Sequence, residues 1–330
     1  MFAELITLVV IVALVFEFVN GFQDTANAIA TTIFTRALPM GKAILLASSM
    51  NFIGALASER VAKTITSGLV AVPIEEYVIL AGLVGAIFWT IFTWWFGIPV
   101  SCSHSLIGGL VGAAIVYDMS VNAILWNGVL LKVVLPIVIS PTLGFLAALG
   151  LLKLINYTCR NLAYGRVNSV FLKLQIISAS FMAFSHGNND AQKTMGIITL
   201  ALISGGFLSH DAGIPLWVKI ICATTMALGT AAGGRRIIKT VGRGVTKLTP
   251  PGGFASETAA AGVIELMTWF GAPVSTTHTI TAAVMGVGTA KRLSAVRWGK
   301  AKDIVQAWII TLPVCAVVGG LACWIIGFAV

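Results

Sequence analysis

Seven hydroxyl side chains stand in two groups, each wrapped around a histidine: Ser101, Ser103 and Ser105 beside His104, and Ser275, Thr276, Thr277 and Thr279 beside His278. The groups are copies. Phe96-Gly-Ile-Pro-Val-Ser-Cys-Ser-His-Ser105 and Phe270-Gly-Ala-Pro-Val-Ser-Thr-Thr-His-Thr279 share Phe, Gly, Pro, Val, Ser and His at a constant offset of 174 residues. In each copy Pro and capping hydroxyls precede a small-residue helix, expected over Leu106 to Tyr117 and Ile280 to Gly288, whose first backbone N–H groups are free to meet an anion. A small tetrahedral oxyanion suits such a pair of cradles, because hydroxyls and N–H groups meet its oxygens without an Arg that would hold it too tightly to release. Close packing of membrane helices also favours Ser, Thr and Gly, and Gly108, Gly109 and Gly112 are read that way. Packing does not, however, call for a repeated Pro-Val-Ser-x-x-His.

A second pair of polar segments carries carboxylates. Asn20-Gly-Phe-Gln23-Asp24-Thr-Ala-Asn27 is answered by His186-Gly-Asn188-Asn189-Asp190-Ala-Gln192-Lys193, with Gly21/Gly187 and Asp24/Asp190 both 166 residues apart. Carboxylate plus amide carbonyl is the ligand set of a hard cation such as Na+, and a buried carboxylate can equally carry a proton. Asp24, Asn27, Asp190 and Asn188 are therefore expected to take a coupling cation or proton, with Asp24 and Asp190 as Na+ ligands. Gln23 and Asn189 are placed with the hydroxyls around the anion. Glu17 and Glu257 are further coupling candidates, and Lys193 is expected to neutralise the anion or pair with Asp190. The structural alternative for each Asp is the cap of a broken helix. His104, His186 and His278 lie inside the motifs and are read either as hydrogen-bonded structural groups or as proton relays and anion contacts. The five cysteines show no zinc or redox spacing and are read as apolar fillers.

The elements that must position these residues are membrane helices. Of 330 residues, 58% are hydrophobic and 10% charged, with a mean hydropathy of +0.96, which excludes an ordinary soluble domain. Apolar runs of about 20 residues, the length that spans a bilayer core, recur from end to end. The first, Phe2 to Val19, lacks a basic leader and is read as a retained span. The helix is expected to break across Asn20 to Thr31, with further spans over Ala43 to Ala57, Tyr77 to Phe96 and Trp126 to Leu152, the last interrupted at Pro136 and Pro141. A net charge of +9 falls in short segments between spans, where membrane orientation explains it and nucleic acid is not needed.

The duplication extends through the chain: Lys63/Lys239 and Gly68/Gly244 lie 176 apart, and Trp126/Trp298 and Pro141/Pro313 lie 172 apart. Residues 1–157 are expected as one repeat, 158–172 as a cytoplasmic linker and 173–330 as the second repeat. Loop charges give their relative orientation. Segment 58–76 sets Arg60 and Lys63 against Glu59, Glu75 and Glu76, whereas segment 234–252 holds Arg235, Arg236, Lys239, Arg243 and Lys247 without an acid. By the positive-inside rule the repeats face opposite ways, both termini are extracytoplasmic, and the chain is multi-pass in the plasma or inner membrane. The expected fold is an all-α integral membrane protein of two inverted-topology repeats, with interrupted or re-entrant helices around a midplane site.

At these residues the chain resembles the PiT family of inorganic phosphate transporters, which carries a G-A-N-D-x-x-N-A signature in each half and a P-V-S-x-T-H element. Here they stand as Gly21-Phe-Gln-Asp24-Thr-Ala-Asn27-Ala28, Gly187-Asn-Asn189-Asp190-Ala-Gln-Lys193-Thr194 and the two cradles. Gln23 replaces the signature Asn, Gln192-Lys193 replaces the second Asn-Ala, and the long central hydrophilic loop of many relatives is missing, as in the bacterial low-affinity branch. The resemblance implies a symporter, not an enzyme, importing inorganic phosphate with Na+ or H+ by alternating access. It implies no resident cofactor, and it leaves room for a divalent metal carried with phosphate. The partners expected are phosphate, Na+ or H+, the lipid bilayer and a second copy of the chain. A sulfate permease is the alternative within transport. A membrane phosphatase acting on lipid pyrophosphates is the alternative outside it, with Ser103-His104 or Thr277-His278 as nucleophile and base but no Arg for transition-state charge.

Overall fold

The two Phe-Gly-x-Pro-Val-Ser turns share their glycine closure and serine cap, and the rest of the chain is arranged around them. In the computed structural model, which describes residues 2–67, 69–70, 74–209, 211–233, 237–238, 240 and 244–328, Gly97 and Gly271 take φ of +68° and +69°. Each glycine N–H closes the preceding helix, Gly97 on the Trp94 carbonyl and Gly271 on the Thr268 carbonyl, both at 2.9 Å. This left-handed closure is cheap only for glycine. After Pro and Val, the Ser101 hydroxyl accepts from the His104 N–H and the Ser275 hydroxyl from the His278 N–H, each at 3.2 Å, and a new helix starts.

Eleven helices follow from this punctuation among the described residues: α1 Phe2–Phe34, α2 Met40–Ala55, α3 Arg60–Ser67, α4 Glu76–Trp95, α5 Cys102–Asp118, α6 Trp126–Thr158, α7 Tyr164–Ser204, α8 Leu216–Ala232, α9 Pro250–Trp269, α10 Thr276–Lys291 and α11 Trp298–Ile326. The same residues contain no strand, only an isolated bridge between Val70 and Ile124. Five helices, α1, α4, α6, α7 and α11, are long and apolar enough to cross a membrane, and α2 with α3, bent by 66° across a short break, makes a sixth. Large apolar side chains such as Leu45, Leu131, Ile177 and Ile309 point outward while the polar residues are buried, the reverse of a soluble protein and the arrangement a lipid solvent favours.

Three sequence expectations are revised. Helix α1 runs unbroken through Asn20 to Thr31 and α7 through the second polar segment, so Asp24 and Asp190 sit in mid-helix and cap nothing. The polar side chains reach neighbouring helices instead of breaking their own ladder; the interruptions fall at the two turns and between α2 and α3. Helix α6 continues past Pro136 and Pro141, its hydrogen-bond register already shifted by a π turn at Leu130–Val134 just before Pro136, whose missing N–H could not carry the ordinary ladder. Residues 164–172, expected within a linker, extend α7, leaving only 159–163 outside helix. Gly68, His210, Arg235, Arg236, Lys239 and Arg243 lie outside the described residues.

The helices of one half pack on those of the other. Helix α11 lies on α5, α6 on α10, α8 on α1 and α2 on α7. Small residues permit the approach: Gly112 faces the Ala316 carbonyl, and Gly286, 174 residues on, faces the Phe145 carbonyl, so close that a Cβ would collide with backbone in both cases. Gly112→Val and Gly286→Val are each expected to destabilise the protein by about 1–3 kcal/mol through overpacking. Gly150→Val, in open space on α6, should be nearly neutral. Thermal unfolding in detergent distinguishes them.

Candidate functional site

On α1, Asn20, Gln23, Asp24 and Asn27 are spaced i, i+3, i+4 and i+7, and on α7 His186, Asn189, Asp190 and Lys193 repeat that spacing. The spacing puts each set on one helix face. All eight side chains are buried, and the two faces look at each other across the second turn.

The threonines at the start of α10 join them. Thr277 Oγ1 donates to Asp24 Oδ1 at 3.1 Å, and Thr276 Oγ1 donates to Asp190 Oδ2 at 3.2 Å. Asn27 Nδ2 donates to both hydroxyls, at 2.9 Å to Thr277 and 3.3 Å to Thr276. His186 Nε2 lies 3.5 Å from Asp190 Oδ2 and 3.9 Å from Asp24 Oδ2. Its Nδ1 is 3.1 Å from Asn51 Oδ1, a contact that orients the ring with Nε2 toward the carboxylates. Asn51 is oriented in turn by its Nδ2 donating to Thr230 Oγ1 at 2.8 Å. Lys193 completes the site, with Nζ donating to Asp190 Oδ1 at 2.5 Å, to the Val274 carbonyl at 3.0 Å and to Ser103 Oγ of the first turn. Ser103 Oγ itself donates to the Val274 carbonyl at 3.0 Å.

Asp24, Asp190, Asn27, Ser103, Thr276 and Thr277, all singled out in the sequence, are thus brought together. The remaining cradle hydroxyls are not. Ser101 and Ser275 cap their helices, and Ser105 and Thr279 donate back to the Ser101 and Ser275 carbonyls at 3.0 and 2.9 Å. These four shape the turns. His104 and His278 meet edge to face at 4.7 Å, and His278 stacks on Trp308 at 3.9 Å, so they pack the two turns together. Asn189 ties α7 to the second turn, donating to Thr268 Oγ1 at 2.7 Å and the Ala272 carbonyl at 3.2 Å. Asn188 turns away to Glu265, at 3.1 and 3.3 Å, and Glu17 accepts from Thr194 Oγ1 at 2.5 Å. Glu257 accepts from Thr31, from Thr32 at 2.7 Å, from Ser178 and from Gln175 at 3.1 Å, a knot that ties α1, α7 and α9 beside the site.

Asn51 and Thr230 were not expected in the site, and His186, read only as a structural group or as a proton relay or anion contact, takes a place beside the carboxylates. It joins Asp24 and Asp190 in a buried trio whose ligand atoms all lie within 4.8 Å of one another. Asn51 and Thr230 lie in apolar spans with no pattern around them. The trio and its surroundings suit a small hard cation: two carboxylates supply charge, and the buried carbonyl oxygen of Asn27 has no protein partner. Both polar atoms of Gln23 and the Asn189 Oδ1 are likewise buried without a protein partner. Buried polar atoms normally find partners, so this concentration marks a place built to meet polar solutes.

Comparison with known proteins gives the family. The sequence pattern of the phosphate transporter family matches residues 20–319. A probable low-affinity inorganic phosphate transporter of Rhizobium meliloti (strain 1021) is 48% identical over 94% of this chain and 93% of its own. Its counterpart in Bacillus subtilis (strain 168) is 42% identical over 97% and 96%. A solved structure described as the sodium-dependent phosphate transporter superposes with a TM-score of 0.91 at 26% identity, covering 99% of this chain and 100% of that one. The match runs through both polar segments and both turns, and this multi-pass membrane protein belongs to the phosphate transporter family.

Proposed function

We propose that the chain is a secondary transporter that imports inorganic phosphate together with Na+ or H+ by alternating access. The observation that carries this reading is the buried bridge in which Thr276 and Thr277 hold Asp190 and Asp24, from two different helices, in one site. A buried site where helices of the duplicated halves meet suits alternating access by movement of those helices relative to one another. The names of the relatives and of the solved neighbour support phosphate as the substrate, and the neighbour's name supports Na+ as a coupling ion. In this reading a divalent metal travels, if at all, as phosphate's counter-ion, and the basic segments 36–42, 153–173 and 289–302 face the cytoplasm.

Phosphate is favoured over sulfate by chemistry. At neutral pH phosphate keeps a proton and can donate it to a carboxylate, whereas sulfate only accepts, and two carboxylates reach this site. Transport is favoured over phosphatase chemistry because the Ser103 hydroxyl bonds the Val274 carbonyl and Lys193, and the Thr277 hydroxyl bonds Asp24, while His104 packs against His278, so neither histidine stands as base on its neighbouring hydroxyl.

Asp24→Asn and Asp190→Asn should each abolish labelled-phosphate uptake in proteoliposomes while the protein remains inserted; near-normal uptake would assign that Asp a purely structural part. Ser103→Ala and Thr277→Ala should each raise the apparent KM for phosphate roughly ten- to a hundredfold, since a hydrogen bond to a charged group is worth about 1.5–3 kcal/mol. Ser105→Ala, whose hydroxyl donates to the Ser101 carbonyl one turn back, should stay within about threefold of the native protein, since a substitution away from the bound ions changes little. Excess sulfate should leave uptake intact, and competition by sulfate would reassign the substrate.

A further inference from the structure

Asp24 and Asp190 hold corresponding places in the duplicated segments, and three residues after each stand Asn27 and Lys193. The two copies are built differently at that point. Asn27 uses its amide N–H groups on Thr276 and Thr277 and leaves its carbonyl oxygen buried without a protein partner, a neutral oxygen facing inward. Lys193 brings a full positive charge instead. Its side chain is buried, and its three N–H groups are matched by three acceptors: Asp190 Oδ1, the Val274 carbonyl and Ser103 Oγ. The other Lys–carboxylate pairs among the described residues, Lys63–Glu59, Lys219–Glu59 and Lys300–Asp303, are all partly solvent-exposed. Asp190 therefore has its countercharge attached to the protein. Among the described residues no Lys or Arg pairs with Asp24: Thr277 holds one oxygen, and His186 Nε2 stands 3.9 Å from the other.

We infer that Lys193 is a tethered cation, its ammonium standing on the Asp190 side where a mobile cation must bind on the Asp24 side. The site then takes one mobile cation where a symmetric pair of Asp-x-x-Asn segments would take two. The inference rests on the transport reading above and adds its stoichiometry. Three oxygens around the ammonium, from a carboxylate, a backbone carbonyl and a hydroxyl, are also the ligands that a hard cation would use. A tethered charge needs no ion from solution, and it returns empty-handed on every cycle. It therefore balances Asp190 without drawing on an ion gradient. An unpaired carboxylate at membrane depth is costly, so deleting the ammonium leaves Asp190 in need of a replacement.

The test replaces Lys193 by the residue of the other copy. Purified Lys193→Asn, Lys193→Arg and native protein are titrated with NaCl against choline chloride, without phosphate, and thermal unfolding is followed. Lys193→Asn should gain a Na+-dependent stabilisation at least tenfold more sensitive to Na+ than that of native protein, and Lys193→Arg should behave as native. The double variant Asp190→Asn/Lys193→Met, which removes both charges, should show no gain, placing the new ion on Asp190. In proteoliposomes, the Hill coefficient for any Na+ dependence of Lys193→Asn should exceed the native value by about one. Recovery of folded Lys193→Asn in NaCl but not in choline supports the inference equally. Identical Na+ titrations of Lys193→Asn and native protein would overturn it, as would a variant that unfolds equally in both salts, the mark of a structural ion pair only. Because the titration contains no phosphate, a native protein that fails to transport phosphate would sink the functional reading without deciding this one.

Discussion

Two carboxylates from different helices, buried at the centre of a membrane protein and bridged by adjacent threonine hydroxyls, impose the constraint that the rest of the structure answers. Carboxylates at that depth persist only with partners. Asp190 has Lys193, Thr276 and His186; Asp24 has Thr277 and, at longer range, His186. These partners all come from the second half of the sequence, so Asp24 on α1 is satisfied only once α1 packs against the second turn and α7. The unbroken course of α1 and α7 follows from this. Their backbones keep the helical ladder because the polar side chains are met from outside.

The duplication does more than double the parts. Each turn closes one helix on a glycine with positive φ and starts another on a serine cap, and each new helix packs against the last helix of the opposite half. Glycine contacts recur at matched places, as at Gly112 and Gly286. Such reciprocal packing distributes the membrane-buried surface between halves, and it sets the second turn, Val274 to Thr277, between Asp24 and Asp190 while the first turn supplies Ser103. The copies have then diverged in chemistry at fixed geometry, most plainly at Asn27 and Lys193.

Much of this was legible in the chain. Spans α2 and α4 lie within three residues of the apolar runs that announce them, since a run bounded by polar residues leaves lipid-facing helices little freedom. The repeated turns and both aspartates were plain from identity and offset. The continuity of α1 and α7 was obscured because Asn, Gln and Asp favour caps and turns in water, although their i, i+3, i+4, i+7 spacing already described a helix face. Roles within the cradles were not readable at all. Ser101 and Ser103 look alike in sequence, and only the start of the helix decides which becomes a cap and which reaches Lys193. The partners Asn51, Thr230 and Gln175 lack any local pattern, because long-range contact in a bundle leaves none.

In the proposed transport cycle the carboxylate pair binds phosphate and its coupling cation in one site that opens to one side of the membrane at a time. Labelled-phosphate accumulation in proteoliposomes, measured under separately imposed Na+ and H+ gradients, tests it most directly. Concentrative uptake driven by one imposed cation gradient, and absent without it, is the expected result. Equal uptake with and without either gradient, or accumulation to no more than the outside concentration, would contradict it.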